Sequence, residues 1–471
     1  MENNKLTLEM LLNYIHTKDV PALRSVFENF EEIDVAELCD KIENPADLLF
    51  IFRTVKSDYT AELFAYLTSS QQEKLINLFT DKQLIELIKN SYTDDIVDFL
   101  IDMPANLVSR VLNVSDTTIR SDINRLLNYK EGTAGSIMTT EFVLLQDNMT
   151  VNDALSTIRK IGREKETIST NFIVDLKRNL VGIVSIDDLI YSEPETKLNA
   201  IMHSDFITTN VNSDQEEVAQ AFKRYDLNVM PVLNDDRRLI GIVTIDDVMD
   251  VIEQETSEDI LKMAAISPLE DSYTNSSAFT LAKKSLPWLL ILIVLGAFST
   301  IILNRFEHAF QQVVILAAFI PVLMDTGGNA GYQSSALITR GIALNEIEKK
   351  DFGHVVFKEL RVALLVGLGV GLFAFLWIFI EIATGIIVYE NIGAAFSSTW
   401  WLEISKIAGL VSLTLFTAVL LSKVIGGSLP LIAIAIKKDP AVMAGPFVTT
   451  IVDASSLLLY FLFSNIIFNL Y

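Results

Sequence analysis

The hydrophobic pattern changes character three times along the 471 residues. Up to about residue 130, apolar side chains recur at helical spacing in short segments such as Ala61-Glu-Leu-Phe-Ala-Tyr-Leu67. Helix-start signals precede these segments: Asp34, Asn44-Pro45, Ser57-Asp58, Ser69, Thr80-Asp81, Thr93-Asp94, Pro104 and Ser115-Asp116. Short polar side chains accept hydrogen bonds from the orphan N–H groups of a first turn, and Pro needs no N–H there. Starts spaced by 10 to 13 residues predict short helices stacked as an all-α, superhelical domain over residues 1–131.

From residue 132 to 255 strand-like and helical segments alternate, and the sequence repeats. Ile137-Met-Thr-Thr-Glu-Phe142 returns as Ile201-Met-His-Ser-Asp-Phe206, and Gly182-Ile-Val-Ser-Ile-Asp-Asp-Leu189 returns as Gly241-Ile-Val-Thr-Ile-Asp-Asp-Val248. A helix-period segment separates the members of each pair. The pattern resembles a tandem pair of CBS domains, at about 136–195 and 199–255, small α/β modules that pack as pseudo-twofold pairs. That resemblance implies an adenine-nucleotide cleft contacted by Ser185 with Asp188 and by Thr244 with Asp247. The same side chains also suit plain helix capping.

Residues 246–266 read as one amphipathic helix or two abutting ones, closed by Pro268. Asp247, Asp250, Glu255, Glu258 and Asp259 give this connector, assigned to 246–280, a strongly acidic face. Five apolar runs follow within 281–471: Leu286–Leu303, Val313–Ile338, Val362–Ile380, Ile404–Ile425 and Pro446–Phe468. Each is long enough to cross about 30 Å of hydrocarbon as a helix. Lys283-Lys284, then Arg340, Lys349, Lys350, Lys358 and Arg361, then Lys437-Lys438 alternate with loops carrying Arg305, Glu307, Glu381, Glu390, Glu403 and Lys406. Basic loops stay inside. The expected topology is a cytoplasmic N-terminus, five spans and an outside C-terminus in the plasma membrane.

Charge sharpens this division. Of 37 Lys+Arg and 60 Asp+Glu, only 10 and 11 lie from Leu286 onward, so nearly all of the net −23 belongs to the first 285 residues. An acidic surface of that kind disfavours nucleic acid and favours cations. Cys39 is the only cysteine, and the four histidines are scattered, which argues against zinc and disulfides. No signal peptide and no catalytic constellation is expected.

Two spans carry polar groups that are costly in hydrocarbon. In the second, Pro321 and Gly327-Gly328 are expected to break the helix, with Asp325 placed to cap it and Asn329 and Gln333 sharing one face. The weaker alternative is Gly327-x-x-x-Gly331 as a close-packing motif, which accounts for the glycines but not for the Asp, Asn and Gln beside them. In the last, Thr449, Thr450 and Asp453 share a face, and no cation in the spans is an obvious partner for the Asp except Lys423. One carboxylate is too few for a dehydrated cage, but it suits Mg²⁺, which keeps its waters.

With these residues the chain is similar over nearly its whole length to the MgtE family of magnesium channels. The motifs that carry the resemblance are Pro321-x-x-x-x-x-Gly-Gly-Asn-Ala-Gly-x-Gln333 and Asp439-Pro-x-x-x-x-Gly-Pro-x-x-Thr-Thr-x-x-Asp453. Tyr332 and Ser455-Ser456 depart from the family's usual residues. The resemblance implies a homodimer in membrane lipid, with a Mg²⁺ pore on the twofold axis lined by Gly328, Asn329, Thr449 and Asp453. It further implies Mg²⁺ sensing by Asp94, Asp98, Asp214, Glu216, Asp226, Asp247, Asp250, Glu255, Glu258 and Asp259, with the connector acting as a plug and ATP binding the CBS pair. Alternatives left open are an exchanger coupled to Na⁺ or H⁺ and a non-conducting Mg²⁺ or nucleotide sensor.

Overall fold

The computed structural model describes residues 6–269, 273–274, 276–306, 313–386, 398–443 and 445–468. Glu307, His308 and Glu390 lie outside the described residues. The chain divides into two compact units, Met1–Glu253 and Gln254–Tyr471.

The first unit begins with ten helices among the described residues, α1 to α10: Leu8–Thr17, Val20–Asn29, Glu32–Cys39, Pro45–Thr54, Ser57–Ala65, Ser69–Leu78, Asp81–Asn90, Thr93–Ile101, Ala105–Val114 and Thr117–Leu126. Every start signal named above falls within two residues of a helix start, but the expected capping is corrected at four of them: Asp34, Ser57, Ser69 and Thr93 lie inside the first turn, and the cap positions belong to Glu31, Lys56, Thr68 and Tyr92. Asn44 caps α4 with Pro45 in its first turn, Thr80 and Gln83 form a capping box on α7, and Asp116 accepts from Thr118 and Ile119. Helices pack on their next-but-one neighbours, α3 on α5, α4 on α6, α5 on α7 and α7 on α9, which is the stacking expected of a solenoid. Edge-on rings of Phe52, Phe64 and Phe99 run through this stack. Cys39 is buried here as a free thiol.

Two three-stranded sheets follow: β1 (Leu144–Gln146), β2 (Thr170–Val174) and β3 (Leu180–Ser185), then β4 (Thr209–Asn210), β5 (Val229–Leu233) and β6 (Leu239–Thr244). Each sheet pairs its first two strands in parallel and the last two antiparallel, with a bulge at the corresponding place, Ile173/Val174 and Val232/Leu233. Helices α11 (Val151–Ile161), α12 (Ile186–Tyr191), α13 (Leu198–Ile201) and α14 (Gln215–Tyr225) complete the two repeats. The repeats interlock. Thr139 exchanges backbone hydrogen bonds with Ile242, and His203 with Ile183. Met138 presses on Gly241, and Met202 presses on Gly182, so closely that a Cβ on either glycine would lie 2.5–2.7 Å from the sulfur. The Ile-Met and Gly-Ile-Val motifs therefore recur because each repeat lays its Met on the glycine of the other.

Helix α15 runs unbroken over Ile245–Met263. It stops before the expected residue 266: Ala265 takes a left-handed conformation (φ 54°) and Ile266 N donates to Leu261 O, closing the helix ahead of Pro268.

In the second unit, among the described residues, five helices are long and apolar enough to cross a membrane. They are α16 (Ala278–Arg305), α17 (Ile320–Ala343), α18 (Phe352–Ala383), α19 (Ser398–Ala435) and α20 (Pro446–Phe468). α17 packs on α19 and α20, α18 on α19, and α16 on α20. Ile293, Val294 and Phe298 of α16 and Leu365, Leu368 and Phe373 of α18 point outward, an apolar belt suited to lipid.

The expected break in the second span is corrected. α17 is continuous through Gly327-Gly328, and the irregular backbone is a 3₁₀ turn at Val314–Phe319 ahead of Pro321, which occupies the first turn of α17. A Pro in a first turn forfeits no intrahelical hydrogen bond, so it opens this helix rather than kinking it. The glycines serve packing. A Cβ on Gly327 would meet Ser456 Oγ at 2.8 Å and one on Gly331 would meet Val448 at 2.8 Å, so α20 lies directly against α17.

Candidate functional site

Glycine packing brings the two polar intrusions together. Gly328 faces Thr449 and Asp453, with the position of a Cβ 3.4 Å from Thr449 Cγ2 and 3.5 Å from Asp453 Oδ1. Thr449 and Thr450 both donate to the Pro446 carbonyl, at 3.0 and 2.7 Å. Their hydroxyl protons are thereby committed to the backbone, leaving oxygen lone pairs to accept from water. On the neighbouring face of α17, Asp325, Asn329, Tyr332 and Gln333 are exposed at helical spacing. Asn329 Nδ2 donates to Asp325 Oδ1 at 3.1 Å. Asp325 thus sits a turn inside the helix and holds Asn329; it does not cap a break. Lys423, the candidate partner of Asp453, points elsewhere: its Nζ donates to Ser334 Oγ at 3.2 Å.

The first unit gathers a second set of carboxylates. Asp94, Asp95 and Asp98 project from the first turns of α8, Asp246, Asp247 and Asp250 from α15, and Glu141 and Glu166 from the CBS segment. Thr93 donates to Glu141 Oε1, and Thr139 to Glu141 Oε2 at 2.9 Å. Burial first, and repulsion from Asp247 second, hold the Asp94 carboxyl well above its ordinary range. The same two causes push Asp98 up to about 7. Burial, then repulsion from Asp246 and Asp247, pushes Glu166 up to about 8. Burial, partly offset by a hydrogen bond from Thr244, puts Asp247 at about 6. Asp94 Oδ1 and Glu166 Oε2 are buried with no hydrogen-bond partner. Among the described residues no three His, Cys, Asp or Glu side chains converge as a ready-made metal cage. The cluster is instead an array of carboxylates short of positive charge, which fits a cation that keeps much of its water.

The other proposed sensor residues are dispersed. Asp214 caps the N-terminus of α14, with Glu216 in its first turn, and Asp226 caps its C-terminus. Twelve residues at about 1.5 Å rise separate Asp214 and Asp226 by roughly 18 Å, so one chain cannot put both on one ion. In the second unit, Lys262 at the end of α15 pairs with Glu258 and, at 2.6 Å, with Asp439. Burial draws the Lys262 ammonium down, but hydrogen bonds to Asp439 and Glu258 outweigh this and push it up. Burial, then Asp439, raises Asp259 to about 6.

At the nucleotide candidates, Ser185 and Asp188 form a capping box on α12, with His203 Nε2 3.2 Å from Asp188 Oδ2. Thr244 Oγ1 donates to Asp247 Oδ2 at 2.7 Å. Both pairs are engaged in capping contacts at helix starts.

Sequence reading missed Asp95, Glu141, Glu166 and Asp246 in the acidic cluster, and Asp439 and Lys262 beside the connector. It also missed Glu359, buried in the membrane unit. Glu141 follows directly on the repeated Ile137-Met-Thr-Thr motif, a weak signal; Glu166 gives none.

Comparison with known proteins agrees with this layout. The family profile described as divalent cation transporter matches residues 320–463, the MgtE intracellular N domain matches 30–132, and the CBS domain matches 134–195 and 198–254. The magnesium transporter MgtE of Thermus thermophilus is 31% identical over 446 residues, 94% of each chain. The protein of the same name from Bacillus subtilis is 31% identical over 91% of this chain and 92% of its own. A solved structure of the cytosolic domain of the Mg²⁺ channel MgtE in complex with ATP is 31% identical over 52% of this chain and all of its own, with a TM-score of 0.49. An acidic helical domain, a CBS pair, an acidic connector and five spans with one polar seam thus occur in one order in one chain, and that chain belongs to the MgtE family.

Proposed function

We propose that the chain forms a homodimeric Mg²⁺ channel of the plasma membrane, carrying Mg²⁺ into the cytosol and closing when cytosolic Mg²⁺ is plentiful. The observation that carries this reading is the exposed stripe of Asp325, Asn329 and Gln333 on α17, beside Asp453. Such groups cannot face hydrocarbon without a large cost. A second copy placed against this stripe would enclose them around a hydrated path and double the single Asp453 into a ring. Water retained on Mg²⁺ would be accepted by Asp453, Thr449 and the Asn329 amide oxygen. The relatives' names as magnesium transporters support the cargo.

Closure would use the carboxylates. Without metal, Asp94, Asp98, Asp247 and Asp250 repel one another, and Mg²⁺ among them, with Asp214 and Glu216 meeting Asp226 across two copies, would relieve that repulsion. Glu255, Glu258 and Asp259 would carry the bound state along the connector. Moving a gate from mostly open to mostly shut takes roughly 5.5 kcal/mol. A weak site at about ten times its dissociation constant contributes about 1.4 kcal/mol, so about four such sites suffice, and millimolar affinity is enough. ATP would occupy the cleft at Ser185 and Asp188, and at Thr244 and Asp247, where the capping bonds engage only Oδ2 of each Asp.

The deciding experiment is purified protein in liposomes loaded with a Mg²⁺ dye. Mg²⁺ entry that needs no Na⁺ or H⁺ gradient supports a channel. Gradient dependence points instead to an exchanger, and no entry at all to a sensor.

A further inference from the structure

The membrane unit buries two opposite charges that no ion path requires. Glu359 of α18 is 7% exposed, Lys423 of α19 is 3% exposed, and Ser334 of α17 is fully buried between them. Lys423 Nζ donates to Ser334 Oγ at 3.2 Å, and Ser334 Oγ donates to Glu359 Oε2 at 2.5 Å. The chain of donors runs one way, from ammonium through hydroxyl to carboxylate, and ties three helices at one point. Either charge left alone in this environment would be strongly unfavourable.

Adjacent contacts show the space was made for it. A Cβ on Gly427 would lie 2.8 Å from Glu359 Cγ, so α19 carries glycine where the Glu stem passes. Gly426, beside it, lies against the Gly331 carbonyl. Ser422, next to Lys423, donates to the Gly327 carbonyl. Ser334 lies seven residues, about two turns, after Gly327 and on the same face of α17. α19 therefore grips α17 at two levels along one side, while Gly328 and Asn329 lie on the sides turned to Asp453 and outward.

We propose that Lys423, Ser334 and Glu359 form a buried clamp that sets the rotation of α17, and so positions Gly328 and Asn329 against Asp453 and Thr449. These are positioning residues; they do not touch the ion. The glycines at 327, 328 and 331 let the neighbouring helices approach closely but offer no side chain of their own to fix the rotation. A charge-assisted contact with a fixed direction supplies the angular restraint that the glycine contacts lack. The inference rests on the channel reading above.

The test measures Mg²⁺ and Ca²⁺ entry into liposomes for full-length wild type, Glu359→Gln, Lys423→Met, the double variant Glu359→Gln/Lys423→Met, and Ser334→Ala. Size-exclusion profiles establish folding. The expected result is that each single neutralisation lowers Mg²⁺ entry at least about tenfold and alters the Mg²⁺/Ca²⁺ ratio, because it strands one buried charge. The double variant, with no stranded charge, recovers entry but keeps the altered ratio. Ser334→Ala retains both charges and loses only the bridge, so it shifts the ratio even where a neutralised variant fails to fold. Folded single variants with wild-type entry and ratio overturn the clamp, as does an unaltered ratio in Ser334→Ala. Wild-type protein that admits no Mg²⁺ overturns the channel reading instead, so the two failures are distinct.

Discussion

The two units handle buried charge in opposite ways. In the membrane unit Glu359 and Lys423 neutralise each other through Ser334, and Asp325 and Asp453 are the carboxylates of the polar seam. In the first unit Asp94, Asp95, Asp98, Glu166 and Asp247 crowd together, and among the described residues no Lys or Arg pairs with them. A paired charge is a structural fixture; an unpaired group of like charges is a deficit that an outside cation can fill. The difference separates the part that holds its shape from the part built to respond.

The comparison can be broken most sharply at Asp453. Asp453→Ala should leave a folded protein with Mg²⁺ entry near background in the liposome assay; undiminished entry would remove this residue from the path. Next in size is the acidic cluster. Replacing Asp94, Asp98, Glu166 and Asp247 together by their amides should raise the metal-free melting temperature of the protein and abolish the further rise that millimolar Mg²⁺ gives the wild type. Each kcal/mol relieved is worth roughly 2–4 °C in units of this size. A lower melting temperature in the quadruple variant would mean that the carboxylates hold the unit together without metal.

A milder probe is pH. The folded unit raises these carboxylates to about 6 for Asp247, about 7 for Asp98 and about 8 for Glu166, whereas an unfolded chain releases the same protons near pH 4. Between pH 4 and 8 the folded state therefore binds more protons, and its stability falls as pH rises. Without Mg²⁺, the protein should melt at a higher temperature at pH 5.5 than at pH 8. Protons and Mg²⁺ compete for the same oxygens, so the stabilisation by Mg²⁺ should be larger at pH 8. The smallest effect is expected at Lys262, the partly buried cation between Glu258 and Asp439. Lys262→Met should cost about 1 kcal/mol or less and speed hydrogen exchange at the end of α15, with Mg²⁺ restoring the protection by taking the place of the ammonium.

Periodicity made the large divisions legible. Helix starts from Asn44-Pro45 to Ser115-Asp116 could be read because capping is local chemistry, settled within four residues. Five spans were readable because a bilayer imposes length and apolarity on each helix separately. The polar residues of α17 and α20 stood out for the same reason, since Asp, Asn and Thr are conspicuous in an apolar run. The break expected at Gly327-Gly328 was misread because glycine permits both an interrupted helix and a close helix contact, and only Ser456 and Val448 on a distant segment select the second.

What the sequence by itself determined is therefore the kind of molecule: a helical stack, a duplicated α/β pair, an acidic connector and a five-span membrane part with one polar seam. Each follows from periods, caps and compositions that act over a few residues. The tertiary structure alone decided which charges meet. Glu141 and Glu166 joined Asp94, and Lys423 turned to Ser334 and Glu359 rather than to Asp453. Coulomb interactions and desolvation depend on distance and burial, and residues far apart in the chain acquire both only when it folds.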